Sequence, residues 1–580
     1  AANYSILDNL DLNVMASRNS KERKEEYYVP FYLANSAAPE LYNSWSNSFG
    51  KYRRTTIEDN FRAGLTYQKR FGEVDVKALV GTNYRHNIYD RFNAEMPIDA
   101  KTGGLIIPDV YTFSNAGIVP TPSTYYYEQK VMSVYGNLSI GYKDFIYLDA
   151  ALRKDWSSAL PANNNGYAYP SIGLSFIFSE LVPVDYLSYG KLRASWAQVG
   201  SDVDPLLINP TYGAGSQAFQ GSYIIQYTPS RVVDPNIKPS TNTSVEGGLD
   251  LRFIDGKYGL SATVYRESRV DDIVPISVSQ ASGYYDYLTN AGEVLRRGIE
   301  LAVDADIFKS TSGFNWNLMV NFAKNKTTIE TLPGGLDAIG GYSSQSNAFG
   351  FVSVVHKLGE EWGQLRGTGF ATDDNGNRIL NANGLYVTEQ NKFLGGVLPD
   401  FTGGIINSFS YKGFNLIASI DYQKGGNFFS LSESWGTYSG LFAETAGTND
   451  LGNPKRDAVA DGGGVHVTGV DANGETVDTY VDALSYYGQF YGNRLAEEFI
   501  HDASYVKLRE VSLSYNFGNL INGKFIKGAT VGVVGRNLAF LALAKDNVHN
   551  WDPSSLAETY GEDGQLPSVR SYGVNVKLTF

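Results

Sequence analysis

The chain has 580 residues, with 41 Tyr, 30 Phe and 61 Gly against 4 Met and no Cys, and a formal net charge of -13. Lack of cysteine excludes disulfide scaffolds, thiol catalysis and Cys-ligated zinc together, and the acidic balance argues against a general nucleic-acid binder, whose phosphate contacts need a basic face. No run approaches the roughly 18 apolar residues of a membrane helix, and abundant aromatics and glycine with little Met favour sheet.

The predicted elements are strands, near 5–18, 59–70, 74–88, 124–142, 145–157, 168–179, 190–199, 240–254, 257–270, 293–308, 313–327, 401–411, 414–424, 503–517, 528–537 and 570–580. They carry a period of two: Val245, Gly247, Leu249, Leu251 and Phe253 alternate with Ser244, Glu246, Gly248, Asp250 and Arg252. Phe314, Trp316, Leu318, Val320 and Phe322 alternate with Asn315, Asn317, Met319, Asn321 and Ala323. Each such run reads as a strand with one apolar and one polar face.

Connection lengths decide what solvent the apolar face meets. Lys143-Asp144, Asp255-Gly256, 309–312 and Lys412-Gly413 are short, whereas 200–239, 328–400 and 425–502 are long. Short and long connections mostly alternate, as in an antiparallel up-and-down transmembrane β-barrel with tight periplasmic turns and long external loops, and roughly sixteen strands lie in its usual range. Closure pairs every strand edge, which hydrocarbon demands. Counting back from the end, the last strand descends to the periplasmic side and the first begins there. Within 503–517, Val511, Leu513, Tyr515 and Phe517 would face lipid and Ser512, Ser514 and Asn516 the lumen, with Lys507, Arg509 and Glu510 above the hydrocarbon.

Chemistry-bearing patterns are sparse. His86, His356, His466, His501 and His549 are scattered without metal-ligand spacing, so they read as surface or loop residues. No G-x-S-x-G elbow appears, and the glycine-rich 461–469 lacks the G-K-[ST] of a phosphate cradle and reads as flexible loop. Asp373, Asp374 and Asn375, and similarly Asp471 to Glu475, offer closely spaced oxygens for calcium, but Asn-Gly is also a tight-turn signal and the turn is preferred. Tyr212, Tyr223, Tyr227, Tyr284, Tyr285, Trp435 and Tyr438 fall in long connections among Asn, Gln and Ser, a mixture suited to gripping sugar rings or peptides. Packing between loops or contact with a partner protein fits the same residues equally.

Several ordered blocks resemble one family. His501 to Gly518 (HDASYVKLREVSLSYNFG), Val531 to Ala542 (VGVVGRNLAFLA) and WDPSS at 551–555 resemble the C-terminal signature of SusC-like TonB-dependent transporters, and the blocks at 148–161, 168–176, 191–200, 234–253, 290–301 and 398–416 agree in order. The resemblance implies a barrel of about 22 strands around an N-terminal plug, of which this chain would be the C-terminal barrel portion (1–580), lacking the plug and the first strands. It implies a non-enzymatic importer of large nutrients, glycan or oligopeptide, in the outer membrane of a Gram-negative bacterium. Its partners would be a SusD-like surface lipoprotein, the TonB complex acting through the absent plug, the rest of the same transporter and outer-membrane lipid, without nucleic acid or cofactor. The terminal Phe580 resembles the aromatic signal read by outer-membrane assembly machinery. A self-contained sixteen-stranded porin and an outer-membrane enzyme are the competing readings.

Overall fold

The computed structural model describes residues 1–29, 48–96, 104–107, 109–182, 184–209, 212–219, 222–227, 231–311, 313–340, 350–518 and 525–580, the two segments 212–219 and 222–227 by backbone only. The described chain is all-β and predominantly antiparallel, and all sixteen predicted segments contain strand. It divides into two compact units: 1–175 with 195–243 and 270–291, and 176–194 with 244–269 and 292–580.

In the first unit an antiparallel meander runs through β1 (Ala2–Leu7), β2 (Leu10–Val29), β3 (Ser48–Phe71), β4 (Val74–Glu95), β5 (Ser123–Tyr142) and β6 (Ile146–Ser157). The predicted strand 5–18 is therefore a hairpin, turning at Asp8-Asn9. Because Leu10 lies opposite Tyr67, near the Gly72-Glu73 turn, β1 runs toward the short-turn end. β1 thus runs opposite to the expected first strand, whereas β2, which holds residues 10–18 of that prediction, rises from the short-turn end as expected. The residue types explain the miss: Ile6 and Leu10, four apart, keep the period of two across a two-residue turn that carries no glycine.

Register defines the membrane band on one face of this meander. At the short-turn end Phe71, Val74, Tyr142 and Ile146 lie opposite one another in turn. Toward the other end Ala16, Phe61, Tyr84, Met132 and Trp156 form a second such row. About ten residues separate Phe71 from Phe61, or about 33 Å along the strand at ~3.3 Å per residue. At a tilt of about 40° this is about 25 Å along the membrane normal, the height of an outer-membrane apolar band with aromatic girdles. One step beyond, the row Arg18, Asp59, His86 and Lys130 is charged or titratable. Arg18 donates to both carboxylate oxygens of Asp59, at 2.6 and 2.8 Å, so two members of the first polar row past the band pair with each other, while His86 and Lys130 both turn to Glu128, at 2.9 and 3.7 Å.

β2 to β5 do not stop at that row, which the predicted boundaries missed for β2, β3 and β4 (18, 59 and 88) but met for β5 (124 against Ser123). β3 continues outward to Ser48, about 43 Å of strand beyond Phe61, and closes on a small apolar cluster of Phe49, Met96 and Leu105. The sequence conceals this extension because Lys21 to Glu26, or Lys51 to Arg54, carry charge on both faces and leave no alternation to read.

In the second unit the strands 293–308, Asn315–Thr331, Phe401–Tyr411, Phe414–Lys424, Tyr505–Asn516, Gly528–Leu543 and Ser571–Thr579 pair antiparallel in chain order. Lys412-Gly413 turns with φ of 44° and 91°, the positive pair that a two-residue hairpin needs. A Cβ on Gly413 would sit 2.9 Å from the Asn516 carbonyl oxygen. The long connections of this unit are folded. Residues 332–400, 425–504 and 544–570 contain a four-stranded sheet, two helices and a hairpin, and share a core that includes Phe351, Val354, Leu365, Phe429, Leu495 and Tyr560. Nor is 461–469 a flexible loop: Val465–Val470 pairs with Thr476–Val481, burying Val465 and Val467.

Candidate ligand-binding face and outer loop assembly

The polar face of the first unit bears residues of opposite parity to the apolar band. Asn13, Arg62, Asn83, Tyr135, Asn137 and Arg153, from five successive strands, line a groove of about 660 Å³. Arg153 is held by Asp155 at 2.7 Å and donates to Ser133 Oγ at 2.6 Å. Beside it, Arg85 Nε and Asn83 Oδ1 are buried without a hydrogen-bond partner among the described residues.

In the second unit a β-bulge re-aims the end of one strand toward its polar face. Ser419 lies opposite Glu510 but Ile420 opposite Leu508, so Arg509 is the extra residue on that side, and on the other side Asn537, with φ of 56°, and Leu538 are both unpaired across from it. Without that bulge, alternation from Val511 and Leu513 would turn Arg509 and Lys507 toward the apolar side. With it, Arg509 Nε donates to Asp421 at 2.8 Å and the Tyr505 hydroxyl to the same carboxylate at 3.0 Å. Bulges at barrel rims commonly redirect side chains in this way.

Three polar hubs tie the long connections together. Lys507, 3% exposed, lies 2.5 Å from Asp552 and 4.7 Å from the Phe540 ring centroid. Glu562, also buried, accepts from Ser432 N at 2.9 Å and Ser430 Oγ at 2.9 Å. It thereby joins the final connection to the first turn of helix α1 (Leu431–Tyr438), where the helix dipole favours an anion. Glu433 accepts from His501 Nε2 at 2.7 Å and Trp551 Nε1 at 3.2 Å, with His549 Nε2 at 3.8 Å. Burial pushes the His501 imidazole down, but the Glu433 carboxylate outweighs it and the net shift is upward. Two of the five histidines read as scattered thus converge on one carboxylate, and His501 is buried, which the linear spacing of 433, 501 and 549 could not reveal. A cavity of about 340 Å³ beside these hubs is lined by Lys507, Phe540, His549, Trp551, Glu562 and Arg570, among others.

The aromatic candidates are dispersed. Tyr212 lies opposite Tyr227, and Tyr223 opposite Ala218, in a hairpin of the first unit, their side chains lying outside what is described. Tyr285 is 62% exposed beside Tyr284, before the strand that starts at Asp286. Trp435 and Tyr438 lie on α1 in the second unit, with Tyr438 stacked on Tyr491 at 4.6 Å. The calcium candidates form a turn: Asp373 Oδ1 accepts from the backbone N–H of Asn375 and Asn377, at 2.9 and 2.8 Å. Asp471 does the same for Asn473 and Glu475. Among the described residues no group of three or more His, Asp or Glu is placed to hold a metal ion.

The family described as "TonB dependent receptor-like, beta-barrel" matches residues 2–538. The chain belongs to this TonB-dependent receptor β-barrel family. It is 24% identical over 568 residues to TonB-dependent receptor P3 of Formosa agariphila, covering 91% of this chain and 53% of that protein. It is also 23% identical over 516 residues to TonB-dependent receptor SusC of Bacteroides thetaiotaomicron, covering 84% and 46%. The chain thus spans about half the length of the curated relatives it matches. Among solved structures, the RagAB peptide transporter superposes with a TM-score of 0.74 at 17% identity, over 100% of this chain and 61% of that one. These matches fix the receptor family and its SusC-like barrel fold.

Proposed function

We propose that this chain supplies barrel wall and outer loops to an active outer-membrane importer of large nutrients, glycan or oligopeptide, in a Gram-negative bacterium. In this reading TonB supplies the energy and a SusD-like surface lipoprotein the lid. The observation that carries the proposal is the family match across nearly the whole chain, beside a structural likeness to a protein described as a peptide transporter. The architecture suits the role: an apolar face for lipid, a polar face with a groove, and long connections folded into an assembly large enough to engage a ligand or a second protein. Tyr212, Tyr223, Tyr227, Tyr284, Tyr285, Trp435 and Tyr438 are offered as ligand contacts, and the terminal Phe580 as the assembly signal. No residue is assigned to make or break a covalent bond.

The test is uptake of labelled oligosaccharides and oligopeptides by cells expressing the whole transporter, with and without functional TonB. Saturable uptake that disappears without TonB is expected. Uptake that persists without TonB, with a permanently open pore in single-channel recordings, would favour a passive porin instead.

A further inference from the structure

Above the charged row that ends the apolar band, the polar face of the first unit gathers cations that the carboxylates on the same face, Glu25, Glu58 and Glu95, offset only in part. Arg23 lies directly opposite Arg54, and Arg54 directly opposite Arg91. Three guanidinium groups thus share one row across three neighbouring strands, and like charges placed opposite one another repel. Lys21 is two residues below Arg23 on the same face. Arg23 pairs with Glu25; neither Arg54 nor Arg91 has an ion pair among the described residues. Both instead lie against tyrosines: Arg54 is 5.8 Å from the Tyr89 ring centroid and Arg91 5.5 Å from that of Tyr125. Tyr127 completes the platform, stacked on Tyr89 at 5.0 Å with an interplanar angle of 4°.

No register shift interrupts β2 to β5, so this row is on the face that carries the groove of Asn13 and Arg62. From Arg62 to Arg54 is eight residues along β3, about 26 Å, and between them in height stands Arg85, whose buried Nε has no hydrogen-bond partner among the described residues. Cations therefore recur along one polar track, with Glu58 the one carboxylate between Arg62 and Arg54 on β3, in a chain whose net charge is -13. Guanidinium groups fit carboxylate and sulfate oxygens bidentately, and tyrosine rings offer flat faces to pyranose rings.

We infer that this track binds an anionic glycan, a sugar chain bearing carboxylate or sulfate groups, with Arg54 and Arg91 taking the anionic groups and Tyr89, Tyr125 and Tyr127 the ring faces. A glycan is favoured over an acidic peptide because the cations are interleaved with a tyrosine cluster rather than with a sheet edge that could pair a peptide backbone. The inference rests on the importer reading and narrows its substrate class.

The experiment uses the whole purified transporter. It compares binding of an oligogalacturonate, a sulfated oligosaccharide, a neutral dextran oligomer of equal length and oligoglutamate, for the native protein, Arg54→Gln/Arg91→Gln and Arg54→Lys/Arg91→Lys. Heat-modifiable gel mobility verifies that each variant is a folded barrel. At least one anionic sugar should bind more tightly than dextran, with affinity falling as salt rises. The Gln pair should weaken it about tenfold or more, and the Lys pair by less. Equal binding of dextran, anionic-sugar binding unchanged by the Gln pair, or tighter binding of oligoglutamate would each overturn the inference. Uptake with and without TonB separates this from the broader reading: TonB-dependent uptake of neutral sugars alone refutes the anionic substrate, while TonB-independent uptake of every probe refutes the importer.

Discussion

Replacing Asp552 by Asn should open the outermost connection of the second unit while leaving its strands intact. The Lys507 ammonium is 3% exposed and has three neighbours: Asp552 Oδ2 at 2.5 Å, Ser554 Oγ at 3.2 Å and the Phe540 ring at 4.7 Å. Asn keeps an oxygen to cap Ser554 N at 3.0 Å, so the substitution removes the charge and the Oδ2 acceptor that Lys507 and the Ser568 hydroxyl share. Stranding a buried cation costs about 3–5 kcal/mol, and the remaining hydroxyl and ring place this case at the lower end, about 3 kcal/mol. At ~1.4 kcal/mol per decade, amide exchange across 544–570 should accelerate about 100-fold, measured by hydrogen–deuterium exchange on the protein in detergent or nanodiscs. The double replacement Lys507→Met/Asp552→Leu, which removes both charges, should restore protection to within about tenfold of the native protein. Exchange in Asp552→Asn within about twofold of native would refute the claim that this pair pins the loop.

The same carboxylate gives a pH dependence. Burial raises the Asp552 carboxyl, but bonds from Lys507, Ser554 and Ser568 pull it below its ordinary value. Its contribution is therefore present above the unfolded carboxyl value of ~3.9 and lost as pH falls through the depressed folded one, so exchange in 544–570 should rise on strong acidification. His501 acts with the opposite sign. It is held above the ordinary imidazole value against its own burial by Glu433, with Asp546 adding to the field, so its contribution is complete below about pH 6.5 and lost as pH rises through the folded value. Protease nicking within 425–504 should increase over that upper range, and His501→Gln should flatten the profile. Phe429→Ala, at a side chain with 0% exposure, should cost about 3–5 kcal/mol and unfold the shared loop core, seen as lost exchange protection in 351–370 and 425–504. Val80→Arg on the apolar face should cost about 2–4 kcal/mol in bilayer-based unfolding, and a polar-face change such as Thr66→Arg much less.

Much of the wall was legible because hydrocarbon imposes a period of two. Leu513, Tyr515, Phe314 and Trp316 announce their strands through alternation, and Lys412-Gly413 announces its turn. Legibility stopped where that constraint stops. Past Arg18 and Asp59 both faces of β2 and β3 meet polar surroundings, so their outward extensions carry no alternating signal. The hairpin at Asp8-Asn9 lacks turn glycine, and the bulge at Arg509 inverts the pattern within one strand. The Glu433, His501, His549 and Trp551 hub joins residues as far as 118 positions apart, which only the folded connections bring together. The arginine row likewise depends on the register that sets 23, 54 and 91 side by side.

The absence of cysteine makes the central claim, a wall with lipid on one face and aqueous lumen on the other, directly measurable. Single cysteines placed in turn from Asn60 to Tyr67, each spin-labelled in the whole transporter in bilayers with any cysteine outside these 580 residues replaced by serine, report contact with oxygen dissolved in lipid or with a water-soluble nickel chelate. The account predicts a strict period of two, with 61, 63, 65 and 67 oxygen-accessible and 60, 62, 64 and 66 chelate-accessible. Chelate access at both sets, or oxygen access in the opposite phase, would contradict it.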